Sequence, residues 1–147
     1  MTDEAPEFGS FWFATQKLVS LMERVVARRL RAELGIGSMH YRVLSAVQVR
    51  GNGFNQRDVA DMLGTTSATV SRQIESATNE GHLTVEVSTT SRRENNVRLT
   101  ATGIDLVARG DAIIAEESEM ILAGVDRADF TVAADTVQTM LDTITRT

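Results

Sequence analysis

The strongest constraint on the fold of this chain is the order of patterns within residues 55–103, NQRDVADMLGTTSATVSRQIESATNEGHLTVEVSTTSRRENNVRLTATG. Val59, Met62 and Leu63 give a short helical stripe. Gly64 closes it, as a residue free to take positive φ does. Thr65 or Thr66 then caps a second helix, and Val70, Ile74 and Ala77 form its inward face at spacings of four and three. Gly81 ends that helix. Beyond it, Leu83 to Val87 and Val97 to Leu99 alternate apolar and polar residues as strands do. Residues 88–96 form a polar connection too long for a minimal hairpin turn. Helix, tight turn, helix and hairpin in this order predict a winged helix-turn-helix.

The flanking segments read as helices. Residues 1–10 are acidic and hold the single proline, and a poorly ordered arm is expected there. Leu18, Leu21, Met22, Val25 and Leu30 form a stripe along a helix expected over 11–33, ended by Gly35 and Gly37. Ser38 is the expected cap of the next helix, 39–49, and Asn55 caps the one after Gly51-Asn52-Gly53. Thr100 caps a helix from Ala101 with Ile104, Val107, Ile113, Ile114, Met120 and Ile121 as apolar positions. After a break near 124–127, Phe130, Ala133, Val137, Met140, Leu141 and Ile144 stripe a last helix. The fold class expected is mainly α with a small β-wing.

The outward side of residues 66–76 is unusual for a helix that meets only water, which more often carries Glu and Lys pairs. It holds Ala68, Arg72 and Ser76, with Ser67, Thr69, Ser71 and Gln73 alongside. Small polar residues let a helix lie deep in a groove, and Arg and Gln suit guanine and adenine edges respectively. The DNA contacts expected are therefore Thr66, Ser67, Ala68, Thr69, Ser71, Arg72 and Gln73, with Arg92 and Arg93 at the hairpin tip toward phosphates or a minor groove. Arg72 has an alternative as a surface residue paired with Glu75 or Ser76.

Charge qualifies this reading. The chain carries a formal net charge of −5. Most of the excess lies after residue 100, where nine carboxylates face three arginines, while residues 55–100 are nearly balanced. Distribution matters more than total for nucleic-acid binding, and weak non-specific affinity with strong salt dependence is expected. Composition is otherwise that of a globular chain, 42% hydrophobic and 24% charged, with no cysteine for a disulfide, thiolate metal site or thiol switch. No run is long enough to span a membrane, and the acidic N-terminus is unlike a secretory signal, so a cytoplasmic location is expected. No nucleophile–base pair, metal-ligand spacing or phosphate loop points to an enzyme. His40 and His82 lie far apart in sequence and are expected at the surface or at caps, with no metal or cofactor.

The same residues resemble the MarR (multiple-antibiotic-resistance regulator) family. Ser91, Arg92, Arg93, Val97, Leu99, Thr100 and Gly103 follow its wing pattern, Asp-x-Arg-x-x-x-aliphatic-x-Leu-Thr-x-x-Gly, with Ser91 where the family has aspartate. Ser67 with Thr69, Val70, Ser71 and Arg72 is close to the family's recognition-helix run, and residues 39–44 resemble its second helix. The resemblance implies one domain over 1–147, with dimerisation helices at 11–36 and 101–147 around a winged helix-turn-helix at 38–100. It implies a regulator, usually a repressor, that binds a pseudo-palindromic operator in double-stranded DNA as a homodimer and is released by a small effector. Phe11, Trp12, His40 and Arg42 are the residues expected to meet an aromatic or anionic effector. Absence of the wing aspartate leaves Arg93 without the brace the family provides. The other reading is a winged-helix protein-interaction module that does not bind DNA, favoured by the acidic balance and Ser91.

Overall fold

A computed structural model of the chain describes residues 7–51, 55–87 and 95–146. Six helices and one hairpin follow in the order α1 (Phe8–Leu34), α2 (Ser38–Arg50), α3 (Gln56–Leu63), α4 (Ser67–Asn79), β1 (Leu83–Val87), β2 (Asn95–Leu99), α5 (Ala101–Leu122) and α6 (Arg127–Thr145). No helix among the described residues is long and apolar enough to cross a membrane. The chain groups into two compact units, residues 1–114 and 115–147.

Two helix starts differ from expectation. Helix α1 begins at Phe8, inside the stretch expected to be an arm. The Phe8 ring lies 6.4 Å from that of Phe11 and 6.2 Å from that of Trp12, so aromatic neighbours three and four residues on support the first turn. Ser38 is the first residue of α2 rather than its cap, which is Gly37; its hydroxyl instead donates to Glu23 of α1. The cap of α3 is the one read from sequence, and of the two threonines offered for α4 the cap is Thr66. Asn55 Oδ1 accepts from the Arg57 amide at 2.9 Å, and Thr66 Oγ1 accepts from the Thr69 amide at 3.2 Å.

The first unit is built around α2. Val43, Leu44 and Val47 of α2 are buried with Leu30 of α1, Val59 of α3, Val70 and Ile74 of α4, and Leu83 and Val97 of the hairpin. Each such side chain contributes roughly 1.5–3 kcal/mol by leaving water. The strands pair antiparallel, Leu83 opposite Leu99 and Val85 opposite Val97. Residues 83, 85, 97 and 99 therefore share one face, and Thr84 and Arg98 lie exposed on the other.

Helix α5 turns Val107 and Ile113 inward as expected but differs at two other positions. Ile104 is 52% exposed, whereas Leu106, Val107 and Ile113 are buried. Glycines complete the inward row. A methyl group on Gly110 would stand 2.4 Å from the Tyr41 ring, so that ring packs directly on the α5 backbone. The Tyr41 hydroxyl then donates to Asp111 Oδ1 at 2.5 Å. Burial first, and the Asp111 carboxylate second, push the Tyr41 phenol up to about 12.

The Leu-Thr-x-x-Gly run has a physical explanation. The Thr100 amide donates to the His82 carbonyl at 3.0 Å and its hydroxyl to the Gly81 carbonyl at 2.6 Å, while Thr100 Oγ1 accepts from the Gly103 amide at 3.1 Å. A Cβ on Gly103 would lie 2.1 Å from the His82 carbonyl oxygen. One threonine thus caps α5 and holds the turn after α4, and one glycine permits the close approach.

In the second unit, Asp126 Oδ1 caps α6 by accepting from the Ala128 amide at 2.7 Å. Helix α6 has no buried residue: Phe130, Val137, Leu141 and Ile144 are 45%, 47%, 51% and 73% exposed. The α1 stripe is likewise open at Leu18, Leu21 and Met22, and only Leu30 is buried.

Two outcomes follow. Gly103→Ala forces a side chain against backbone that no rotamer change relieves, and it will lower unfolding free energy by about 3 kcal/mol in a urea titration, the upper end of overpacking costs. Tyr41 is the chain's single tyrosine, so its ultraviolet absorbance titrates without interference, with a midpoint near 12 that Asp111→Asn moves part of the way back toward 10. Because the folded value lies above the unfolded one, this stabilisation is complete below pH 10 and is lost as pH rises through 12.

Candidate nucleic-acid interface

Helix α4 is set by its own pattern and by its neighbours. Val70, Ile74 and Ala77 are buried, which fixes its rotation. Gly64, at φ 62°, makes the turn from α3, and the Thr65 amide donates to the Ala60 carbonyl at 2.9 Å. The Arg42 guanidinium reaches from α2 to donate to the Leu63 carbonyl at 2.9 Å, holding the end of α3. The helix-turn-helix is thus locked to α2 by apolar packing and one charged hydrogen bond.

That rotation leaves Thr66, Ser67, Ala68, Ser71 and Arg72 exposed along the first half of α4. Thr66 and Thr69 hydroxyl oxygens are 3.0 Å apart, and Arg72 Nη2 donates to Thr69 Oγ1 at 3.3 Å. Neither Glu75 nor Ser76 holds Arg72: Ser76 Oγ donates to Glu80 Oε1 at 2.9 Å instead. Thr69 and Gln73 are only half-exposed. Thr69 supports the arginine, and Gln73 lines a polar cavity together with Ser76 and Glu80. The exposed polar row is therefore narrower than the residues picked from sequence. Arg92, Arg93 and Ser91 lie outside the described residues; Arg98, at the root of the wing, is exposed.

Among the described residues, His40 and Arg42 line different cavities. His40 lines a polar cavity of about 250 Å³ with Arg31, Gln73, Ser76 and Glu80. Arg42 lines a mostly apolar one of about 220 Å³ with Tyr41, Met62 and Leu63. Phe11 is half-buried and Trp12 is 53% exposed on the first turns of α1, and neither lines either cavity.

The histidines are the clearest correction to the sequence reading. His40 is buried, and its Nε2 lies 3.0 Å from His82 Nδ1, with the rings edge to face. Burial holds the His40 imidazole below its usual range; Glu80 opposes that shift, His82 adds to it, and the Gln73 amide also favours the protonated ring. Separated by 42 positions, the two rings carry no mutual signal in the sequence.

Comparison with known proteins agrees with this geometry. A sequence model described as the MarR family matches residues 34–94. A search of curated protein sequences finds no match. Among solved structures, a MarR transcriptional regulator from Methanosarcina mazei Go1 is similar at a TM-score of 0.80 and 22% identity, covering 94% of this chain and 98% of its own. CouR from Rhodococcus jostii RHA1, solved with p-coumaroyl-CoA, is similar at 0.79 and 18% identity, over 94% of this chain and 95% of its own. A variant of Staphylococcus aureus MepR bound to an oligodeoxyribonucleotide is similar at 0.58 and 19% identity, over 91% and 97%. The matched segment takes in α2, α3, α4 and β1, and the solved regulators share their fold with nearly the whole chain, so this chain has the winged-helix fold found in MarR-family proteins.

Proposed function

We propose that this chain is a transcriptional regulator of the MarR family, which binds a pseudo-palindromic site in double-stranded DNA as a homodimer and acts as a cytoplasmic repressor released by a small aromatic or anionic effector. The observation that carries DNA binding is the exposed row Ser67, Ala68, Ser71 and Arg72 on a helix whose opposite side is fully buried. A helix so held presents side chains short enough to enter a major groove, with one guanidinium to reach a guanine edge. Arg92 and Arg93 of the wing take the phosphates or the neighbouring minor groove. The oligodeoxyribonucleotide held by the MepR variant supports this reading, and the p-coumaroyl-CoA held by CouR supports a small-molecule effector.

Pairing of two chains rests on a different observation. The open stripes of α6 and α1 are large, regular and apolar, and a two-fold contact is the commonest way for such a surface to leave water. Helices from 11–36 and 101–147 supply that contact, around a winged helix-turn-helix at 38–100. Two α4 helices about one duplex turn apart, roughly 34–36 Å, then meet successive major grooves.

Arg72→Ala will cost roughly 1–3 kcal/mol on the preferred duplex and little on random duplex, whereas Arg93→Ala will weaken both and lower the salt slope by about one. Anisotropy titrations on a selected and a random duplex measure this; equal losses on both duplexes for Arg72→Ala would remove the base-reading role. Leu141→Asp will turn the dimer into a monomer in sedimentation equilibrium. A wild-type chain that sediments as a monomer at micromolar concentration would end the dimer reading while leaving the α4 surface untouched.

A further inference from the structure

We infer that His40, Glu80 and His82 form a binding site for one zinc-class divalent ion, joining the first turn of α2 to the end of α4 and the root of the wing. The ligand atoms of the three residues lie within 4.8 Å of one another. His40 Nε2 and His82 Nδ1 are 3.0 Å apart, close to the roughly 3.3 Å between two nitrogens on one tetrahedral zinc with Zn–N near 2.0–2.1 Å. Glu80 Oε2 faces His82 Nδ1 at 3.9 Å, and its other oxygen is held by the Ser76 hydroxyl at 2.9 Å. A hydrogen bond of this kind orients a metal-binding carboxylate. Two imidazoles and a carboxylate leave a fourth position for water or a further ligand.

The surroundings discriminate among cations. His40 is buried, and its Nε2 is turned toward His82 Nδ1, where an imidazole nitrogen can meet a metal. Arg31 lines the same cavity and repels any cation. An ion held mainly by charge, such as magnesium or calcium, gains little here, because those ions want many oxygens. Zinc and its neighbours gain from imidazole itself. The inference does not depend on DNA binding: it concerns the joint between α2, α4 and the hairpin, and a filled site would brace that joint by linkage.

The test adds Zn²⁺ to the untagged full-length chain. The chain has two histidines, so their ring resonances in NMR report binding without any mutation: both will shift together and saturate at one ion per chain. Isothermal titration will show Glu80→Gln and His82→Asn each binding Zn²⁺ at least tenfold more weakly, and Ser76→Ala weakened by less than Glu80→Gln. Mg²⁺ in excess will not displace Zn²⁺. Ring resonances that stay in place as Zn²⁺ is added would overturn the site, as would equal Zn²⁺ affinity in wild type, Glu80→Gln and His82→Asn.

Discussion

The fold of the first unit depends on a short contact between two stretches of backbone, the approach of Gly103 to the His82 carbonyl. Thr100 makes that approach possible by bonding to the Gly81 and His82 carbonyls while capping α5. Carbonyls just past the end of a helix lack helical partners, and here the cap of the following helix supplies them. As a result the end of α4, the root of the wing and the start of α5 form one joint. The wing strands converge on it through Leu83 and Leu99, which pair across the hairpin. The proposed metal site lies beside the same joint, because His82 gives its carbonyl to Thr100 and its ring to His40.

A second constraint is the inequality between inside and outside. Helix α2 is buried along most of its length and serves as the core of the first unit. Helix α6 buries nothing, although its apolar positions recur as regularly as those of α2. Periodicity identifies a face; only burial tells whether the chain itself covers it. The open faces of α1 and α6 are therefore the features that most invite a second copy, and they lie away from the polar row of α4 in sequence. Charge is divided between segments as well: in a chain of net charge −5, carboxylates concentrate after residue 100, outside the sequence of the helix-turn-helix.

Arg42 and Gln73 show how one residue type can be read in two ways. Each was a reasonable contact for an effector or a base edge. In the structure Arg42 holds the last carbonyl of α3, and Gln73 lines the cavity beside His40. Arg42 thereby ties α2 to the end of α3, and both side chains are half-exposed. Thr69 behaves similarly, since its hydroxyl meets Thr66 and Arg72. A polar residue half-way round a helix faces either solvent or a neighbouring element, and its own sequence neighbourhood does not say which.

Local physics written in the chain was enough for the order of elements, the caps at Asn55, Thr66 and Thr100, the turn at Gly64 and the inward face of α4, because each depends on residues within about one helical turn. The start of α1, the places of Leu106 and Gly110 in the inward row of α5 and the cap at Asp126 needed coordinates. Glycines take part in a stripe by what they lack, and the Tyr41 ring that fills the space at Gly110 comes from a distant helix. The His40–His82–Glu80 cluster belongs wholly to tertiary structure. Its members meet because α2 passes under the end of α4, a consequence of how the apolar faces pack and of no spacing that could be read along the chain.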